Sequence, residues 1–319
     1  AFARNFSIPS QKPMNAHLKS DACSTCNHEE DYRRVVHEIG PTEWIPDTGI
    51  KIVQPVVLDR PPQHVLFDFD GTLSLIREGW PEVMIPMMVE ILQATGTKES
   101  PEELHALCND FVTNLTGKQT IYQMIRLAEE ITKRGSKPED PAVYKQMYID
   151  RLMVRIADRR EGLRSGRIDV RDMLVPYSLE LLESLKQRGA TLYVASGTDE
   201  PHVIEEVELL GLDKYFGRHV YGAQDDYRSF SKAQVIERIL RENDLKGGLL
   251  LGFGDGYVEI RDVKRVGGTA VAVASDEAGR SGKPDPWKRD RLIGAGADVV
   301  IADYRDCEPL LDYIWGKKN

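Results

Sequence analysis

HVLFDFDGTLS, residues 64–74, places an apolar run of Val65, Leu66 and Phe67 directly before two carboxylates, Asp68 and Asp70. In an extended chain alternate side chains share a face, so these two acids point the same way. Like charges side by side repel, and burial worsens the repulsion. The pair is tenable only with something positive between or beside it. The run itself reads as a buried strand, and Gly71 tolerates the positive φ that a tight exit from it requires.

The same kind of strand recurs downstream. TLYVAS (191–196), a short HVYG near 219, GGLLLGFG (247–254), TAVAVA (269–274) and ADVVIA (297–302) are short apolar runs. Helical patterns lie between them: 178–189, 202–211, 231–243, 257–268 and 306–316. Gly189 and Gly211 fall where helix C-caps belong. Buried strands alternating with amphipathic helices predict an α/β fold, a doubly wound parallel sheet with helices on both faces.

One interval breaks the rhythm. From Asp70 to Ser196 there are 126 residues, whereas a βαβ unit needs only about 30. Helical spacing through WPEVMIPMMVEILQATG, SPEELHALCNDFVTNL, QTIYQMIRLAEEITKRG and AVYKQMYIDRLMVRIADRR predicts about four inserted helices, placed where a lid over the strand ends belongs. The expected organisation is an N-terminal extension over 1–61, an α/β core over 62–78 and 172–319, and a helical cap over 79–171.

The 319 residues are 41% hydrophobic and 29% charged, with 42 basic and 51 acidic side chains and a net charge of −9. That balance argues against nucleic-acid binding by bulk electrostatics. An anionic substrate would need local cations or a metal. No apolar run approaches the roughly 18 residues that span a bilayer, and the polar start lacks a signal-peptide core. The expectation is a cytoplasmic protein with no membrane partner. Residues 1–61 are polar and proline-punctuated around pieces such as IKIVQPVVL (50–58), and are expected to pack on the body, on a protein partner or on a second copy. Cys23 and Cys26 form a CxxC with His28 close behind, a spacing that suits zinc; no second CxxC or close HxxxH completes the set, and the alternative is two ordinary thiols.

In doubly wound sheets ligands bind beyond the carboxyl ends of the strands. Asp68, Asp70, Ser196 and Asp255 all fall there, and Lys232 opens a helix near the same rim. A carboxylate can attack phosphorus and become an aspartyl phosphate. Mg²⁺ prefers hard oxygen ligands, which Asp68 and Asp255 supply, with a backbone carbonyl near Asp70. Ser196 and the N–H of Gly197 suit phosphate oxygens, and Lys232 adds fixed positive charge. Asp70 is left to protonate the leaving oxygen and later to deprotonate water. Each residue alone has an ordinary explanation, a helix cap, a turn or a solvated charge; five at five rim positions do not.

DFDGTL (68–73), VASGTDE (194–200), SKAQVI (231–236) and GFGDGYVEIRDVKRVG (252–267) together resemble the motifs of the haloacid dehalogenase-like superfamily, in its phosphatase branch. The resemblance spans residues 62 to about 317 and leaves the extension unexplained. It implies a Rossmann-like core, Mg²⁺, Asp68 as nucleophile, Asp70 as general acid/base, Ser196 and Lys232 as phosphate ligands, and Asp255 with Asp68 and Asp70 as the metal site. Glu259 stands where the family usually has a second Asp, so its part in the metal shell, direct or through water, stays open. The cap is of the helical type found in phosphoglycolate phosphatase and β-phosphoglucomutase relatives. TGKQT (116–120) looks like the loop such caps lower into the site, which makes Lys118 a candidate substrate contact. Arg77 lies near the cap hinge and is a second one; Trp80 beside it reads as hinge packing. The implied substrate is a small phosphorylated metabolite, a sugar phosphate or a phosphoglycolate-like acid. A phosphomutase or a phosphonate hydrolase of the same fold, or a catalytically silent binding module, are the alternatives. A dehalogenase would leave Asp70 and Asp255 without a task.

Overall fold

The computed structural model describes residues 31–37, 40 and 42–316. Cys23, Cys26 and His28 lie outside the described residues. The elements, in chain order, are β1 (Glu43–Trp44), β2 (Lys51–Ile52), β3 (His64–Phe67), α1 (Pro81–Gln93), α2 (Pro101–Asn114), α3 (Thr120–Lys133), α4 (Pro141–Arg164), α5 (Ser178–Gln187), β4 (Thr191–Asp199), α6 (Glu200–Leu209), α7 (Asp213–Phe216), β5 (Val220–Ala223), α8 (Lys232–Glu242), β6 (Leu250–Gly254), α9 (Tyr257–Arg265), β7 (Thr269–Val273), α10 (Pro286–Gly294), β8 (Val299–Ile301) and α11 (Cys307–Trp315).

The strands form one sheet in the order β1-β2-β8-β7-β6-β3-β4-β5. From β8 to β5 every pairing is parallel. The register explains the continuous apolar runs. Val65, Phe67, Leu251, Phe253, Val271 and Val273 enter one core on one face. Their sequence neighbours Leu66, Leu250, Ala270 and Ala272 enter a second core on the other. A strand covered by helices on both faces has no polar side to present, so alternation of polarity disappears.

The extension adds to this sheet. Ile52 pairs with Val299 and Lys51 with Val300, antiparallel, so β1 and β2 form a short hairpin along the β8 edge. Upstream, the backbone N–H groups of Val35 and Val36 donate to the carbonyl of Gly294, and Arg34 makes a two-pronged pair with Asp290 at 2.9 and 3.1 Å. The described part of the extension therefore packs on the body of the chain.

Helices α1–α4 occupy the interval between β3 and β4. Two of their starts are written in the sequence: Ser100 caps α2 in a reciprocal box with Glu103, and Asp140 caps α4. Besides the hairpin strands β1 and β2, two helices fall outside the sequence reading, the short α7 and α10. Gly247–Leu249, read as the start of a strand, forms a 3-10 turn before β6. No described helix is long and apolar enough to cross a membrane.

Candidate active site

Asp68 follows the last residue of β3, and its N–H donates to the carbonyl of Phe253, extending the ladder with β6 by one bond. Its carboxylate is buried; one oxygen accepts from the N–H of Phe69 at 2.8 Å and the other lies 2.9 Å from Lys232 Nζ. Lys232 is the first residue of α8, a helix started by Ser231 accepting from Gln234 N–H. The same Nζ donates to Glu259 Oε2 at 2.8 Å, and Glu259, in the first turn of α9, also accepts from the N–H of Gly256. Burial pulls the ammonium of Lys232 down, but Asp68 and Glu259 outweigh it and hold it above the ordinary lysine range. Burial pushes Asp68 well up, against the pull of Lys232.

Asp255 follows β6. Its N–H donates to Thr72 Oγ1 at 3.0 Å, and that hydroxyl donates to Asp255 Oδ1 at 3.2 Å. A Cβ on Gly71, whose φ is +73°, would collide with the Asp255 carboxylate, so the turn needs glycine for backbone and for space. Asp68, Asp255 and Glu259 each offer an oxygen, and these three atoms all lie within 4.8 Å of one another. Three hard oxygens converging on one point suit a small divalent cation. Glu259 thus belongs to the acid cluster, and the Asp70 side chain does not.

Asp70 turns the other way. Its Oδ2 accepts from Thr198 Oγ1 at 2.9 Å and from Ser196 Oγ at 3.3 Å; its Oδ1 lies 3.8 Å from Arg77 Nε and accepts no hydrogen bond. Burial lifts its pKa to about 6, opposed by Arg77. The sequence reading did not single out Thr198. It lies two residues beyond Ser196 on the same strand, so the period of two that aligned Asp68 with Asp70 contained it. Arg77 itself is spoken for: its Nε and Nη2 both bond the carboxylate of Glu206, with distances of 2.9–3.2 Å and both side chains buried.

The loop 116–120 reaches the core where TGKQT suggested. A Cβ on Gly197 would stand 2.9 Å from the carbonyl oxygen of Lys118, and a Cβ on Gly117 would stand 3.1 Å from Gly256 Cα. Backbone meets backbone at both points. Lys118 is buried, with Nζ 2.7 Å from Asp31 of the extension and 4.9 Å from the centre of the Tyr122 ring.

Two further charged residues escaped the sequence reading. Lys288, in α10, donates to Asp255 Oδ2 at 2.8 Å, Glu277 Oε1 at 2.6 Å and Ser275 Oγ at 3.1 Å. Burial raises Glu277, against the pull of Lys288. Asp68, Asp70, Ser196, Gly197, Lys232 and Asp255 line one cavity of ≈ 100 Å³, and Arg77 and Lys118 line it too.

A family model described as a haloacid dehalogenase-like hydrolase matches residues 62–267. No curated protein matches the chain at a significant level. Among solved structures, a HAD hydrolase of family IA, variant 3, from Entamoeba histolytica is 18% identical, with 79% of this chain and 99% of that one covered and a TM-score of 0.53. A predicted phosphatase from Clostridium acetobutylicum is 18% identical over 79% of this chain and 99% of its own, with a TM-score of 0.50. A conserved haloacid dehalogenase-like protein from Agrobacterium tumefaciens is 16% identical over 78% and 97%, also at 0.50. Identities this low speak to the fold.

Proposed function

The chain belongs to the haloacid dehalogenase-like hydrolases, and from that premise we propose that it is a divalent-metal-dependent phosphatase acting on a small phosphomonoester through an aspartyl phosphate on Asp68. The observation that carries the reading is the cluster of Asp68, Asp255 and Glu259 oxygens within 4.8 Å, with Lys232 against Asp68. Three hard, anionic oxygens fit Mg²⁺, with the backbone carbonyl of Asp70 as a further oxygen. When bound, the ion offsets the charge that would otherwise keep a carboxylate and a phosphate dianion apart.

The residues of the chain divide the remaining tasks. Lys232 Nζ, Ser196 Oγ and the Gly197 N–H hold phosphoryl oxygens. An oxygen of Asp68 attacks phosphorus, forming a P–O bond as the ester P–O bond breaks. Asp70 gives its proton to the departing oxygen; with its pKa raised to about 6, about a tenth of Asp70 carries that proton at pH 7, far more than an ordinary aspartate. Asp70 then takes a proton from water as that water attacks the phosphorus of the aspartyl phosphate, freeing inorganic phosphate and Asp68. Thr198 orients Asp70 throughout.

The test is phosphate release from p-nitrophenyl phosphate with Mg²⁺, compared with chelation and with Asp68→Asn. Turnover should require the metal and fall at least about a thousandfold in the variant. Undiminished turnover under chelation, or in Asp68→Asn, rejects the reading.

A further inference from the structure

Resting on that phosphatase reading, we infer that the substrate is a phosphomonoester whose organic part carries hydroxyl or amine donors and no second acid group. The cavity wall carries five carboxylates and three cations, an excess of two negative charges. Glu206, Asp31 and Glu259, which hold those cations, add three more carboxylates, so a divalent ion at the acid cluster offsets only part of the negative charge, and the phosphoryl group takes Lys232. A second anionic group would need a further cation, and each of the others already faces a carboxylate. Arg77 is held in two-pronged fashion by buried Glu206. Lys118 pairs with Asp31. Lys232 itself is shared between Asp68 and Glu259.

The rest of the wall points the same way. Trp80, Met84 and Tyr148 supply apolar area, and Gln123, in the first turn of α3, lines the same cavity. Its Nε2 donates to the carbonyl of Leu115 at 3.3 Å, which fixes the amide and leaves Oε1 buried with no donor. A buried acceptor without a donor is costly, and a ligand O–H or N–H removes that cost where a carboxylate cannot. The cavity of ≈ 100 Å³ has room for roughly seven to ten water-sized groups. That matches a phosphate carrying a chain of two or three carbons.

The experiment uses the Mg²⁺-loaded full chain and four size-matched substrates: glycerol 3-phosphate, O-phosphoethanolamine, phosphoglycolate and 3-phosphoglycerate. The first two should show kcat/KM at least about tenfold above the last two, because an uncompensated like charge in a desolvated site costs that much or more. The ratio between glycerol 3-phosphate and O-phosphoethanolamine then tells which donor the pocket favours. Equal or better turnover of the two acids overturns the inference and leaves the phosphatase reading standing. Failure on all four and on p-nitrophenyl phosphate brings down both. Glu206→Gln supplies a second arm, since it releases Arg77 toward the cavity. The ratio of phosphoglycolate to glycerol 3-phosphate kcat/KM should rise about tenfold in it. Both substrates are measured on one preparation, so the ratio does not depend on how much of the variant folds. An unchanged ratio overturns the assignment of acid exclusion to ion pairing.

Discussion

Asp70 holds its charge against its surroundings. Its pKa stands at about 6 against an ordinary 3.8, with burial the largest cause and Arg77 the main opposing one. Between those two values the folded chain keeps a proton that the unfolded chain has released. The stabilisation this brings is fully present below 3.8 and is lost as pH rises through 6. Asp70→Asn carries no charge to desolvate. In metal-free buffer it should therefore be more stable than the parent at pH 7.5, by up to about 3 kcal/mol, with the gain fading toward pH 4. Denaturant melts at the two pH values check this, and a gain that grows on acidification would contradict it. At this scale the sequence displayed the twin acids, the serine and the first lysine, because each sits at or just past the end of an apolar run or opens a helix. It could not display Glu206 or Lys288, whose partners Arg77 and Asp255 lie 129 and 33 residues away. A charged side chain on a helix looks the same in sequence whether it faces water or an acid cluster.

The loop 116–120 meets the core backbone to backbone at Gly197 and at Gly256. Gly197→Ala keeps the N–H proposed to serve phosphate but places a methyl group 2.9 Å from the Lys118 carbonyl. Holding the loop off the site should lower kcat/KM about a hundredfold, with the melting temperature little changed; steady-state kinetics beside a thermal melt separates the two. Helix α10 yields a second element-scale prediction. Lys288→Met leaves Asp255 and Glu277 facing each other without their shared cation. Breaking a fully buried pair this way costs about 3–5 kcal/mol; with these side chains 11–22% exposed, the loss should be about 1–3 kcal/mol. The metal-free variant should melt lower than the parent, and Mg²⁺ should raise its melting temperature more than it raises the parent's. An equal metal-induced rise in both proteins would mean that Lys288 does not share the metal's electrostatic task. The strands were legible because each is a short apolar run bounded by turns. Helix α10 was not, because it follows the loop-like GRSGKPD, begins at Pro286, and brings only Leu292 and Ile293 as large buried apolar residues.

At the scale of the whole molecule, the family match begins at residue 62, yet the sheet does not. Ile50, Ile52 and Val53 are 1%, 5% and 8% exposed. The two isoleucines complete one core and the valine the other, so the hairpin seals both faces of the sheet at its β8 edge. Three such side chains are together worth about 5–9 kcal/mol of burial, comparable with the whole stability of a typical domain, about 5–15 kcal/mol. Removing them also strips β8 of its antiparallel partner and exposes a row of unpaired backbone groups on an apolar strand, the arrangement that invites edge-to-edge association. The length and rhythm of the sequence revealed the insertion between β3 and β4. They left the extension unassigned, because a two-residue strand is too short to show a period. A chain beginning at residue 62 keeps every motif of the site and loses this seal. It should be recovered mainly as aggregate, or melt at least about 10 °C below the full chain. A chain beginning at residue 42 keeps the hairpin and should remain soluble, although it loses the Asp31–Lys118 pair and the packing of Tyr32 on Tyr257 and Arg291. Size-exclusion chromatography and thermal melts of the two truncations decide the matter: if the chain from 62 stays monomeric with the parent's melting temperature, the sheet closes without its N-terminal edge and the extension is an appendage after all.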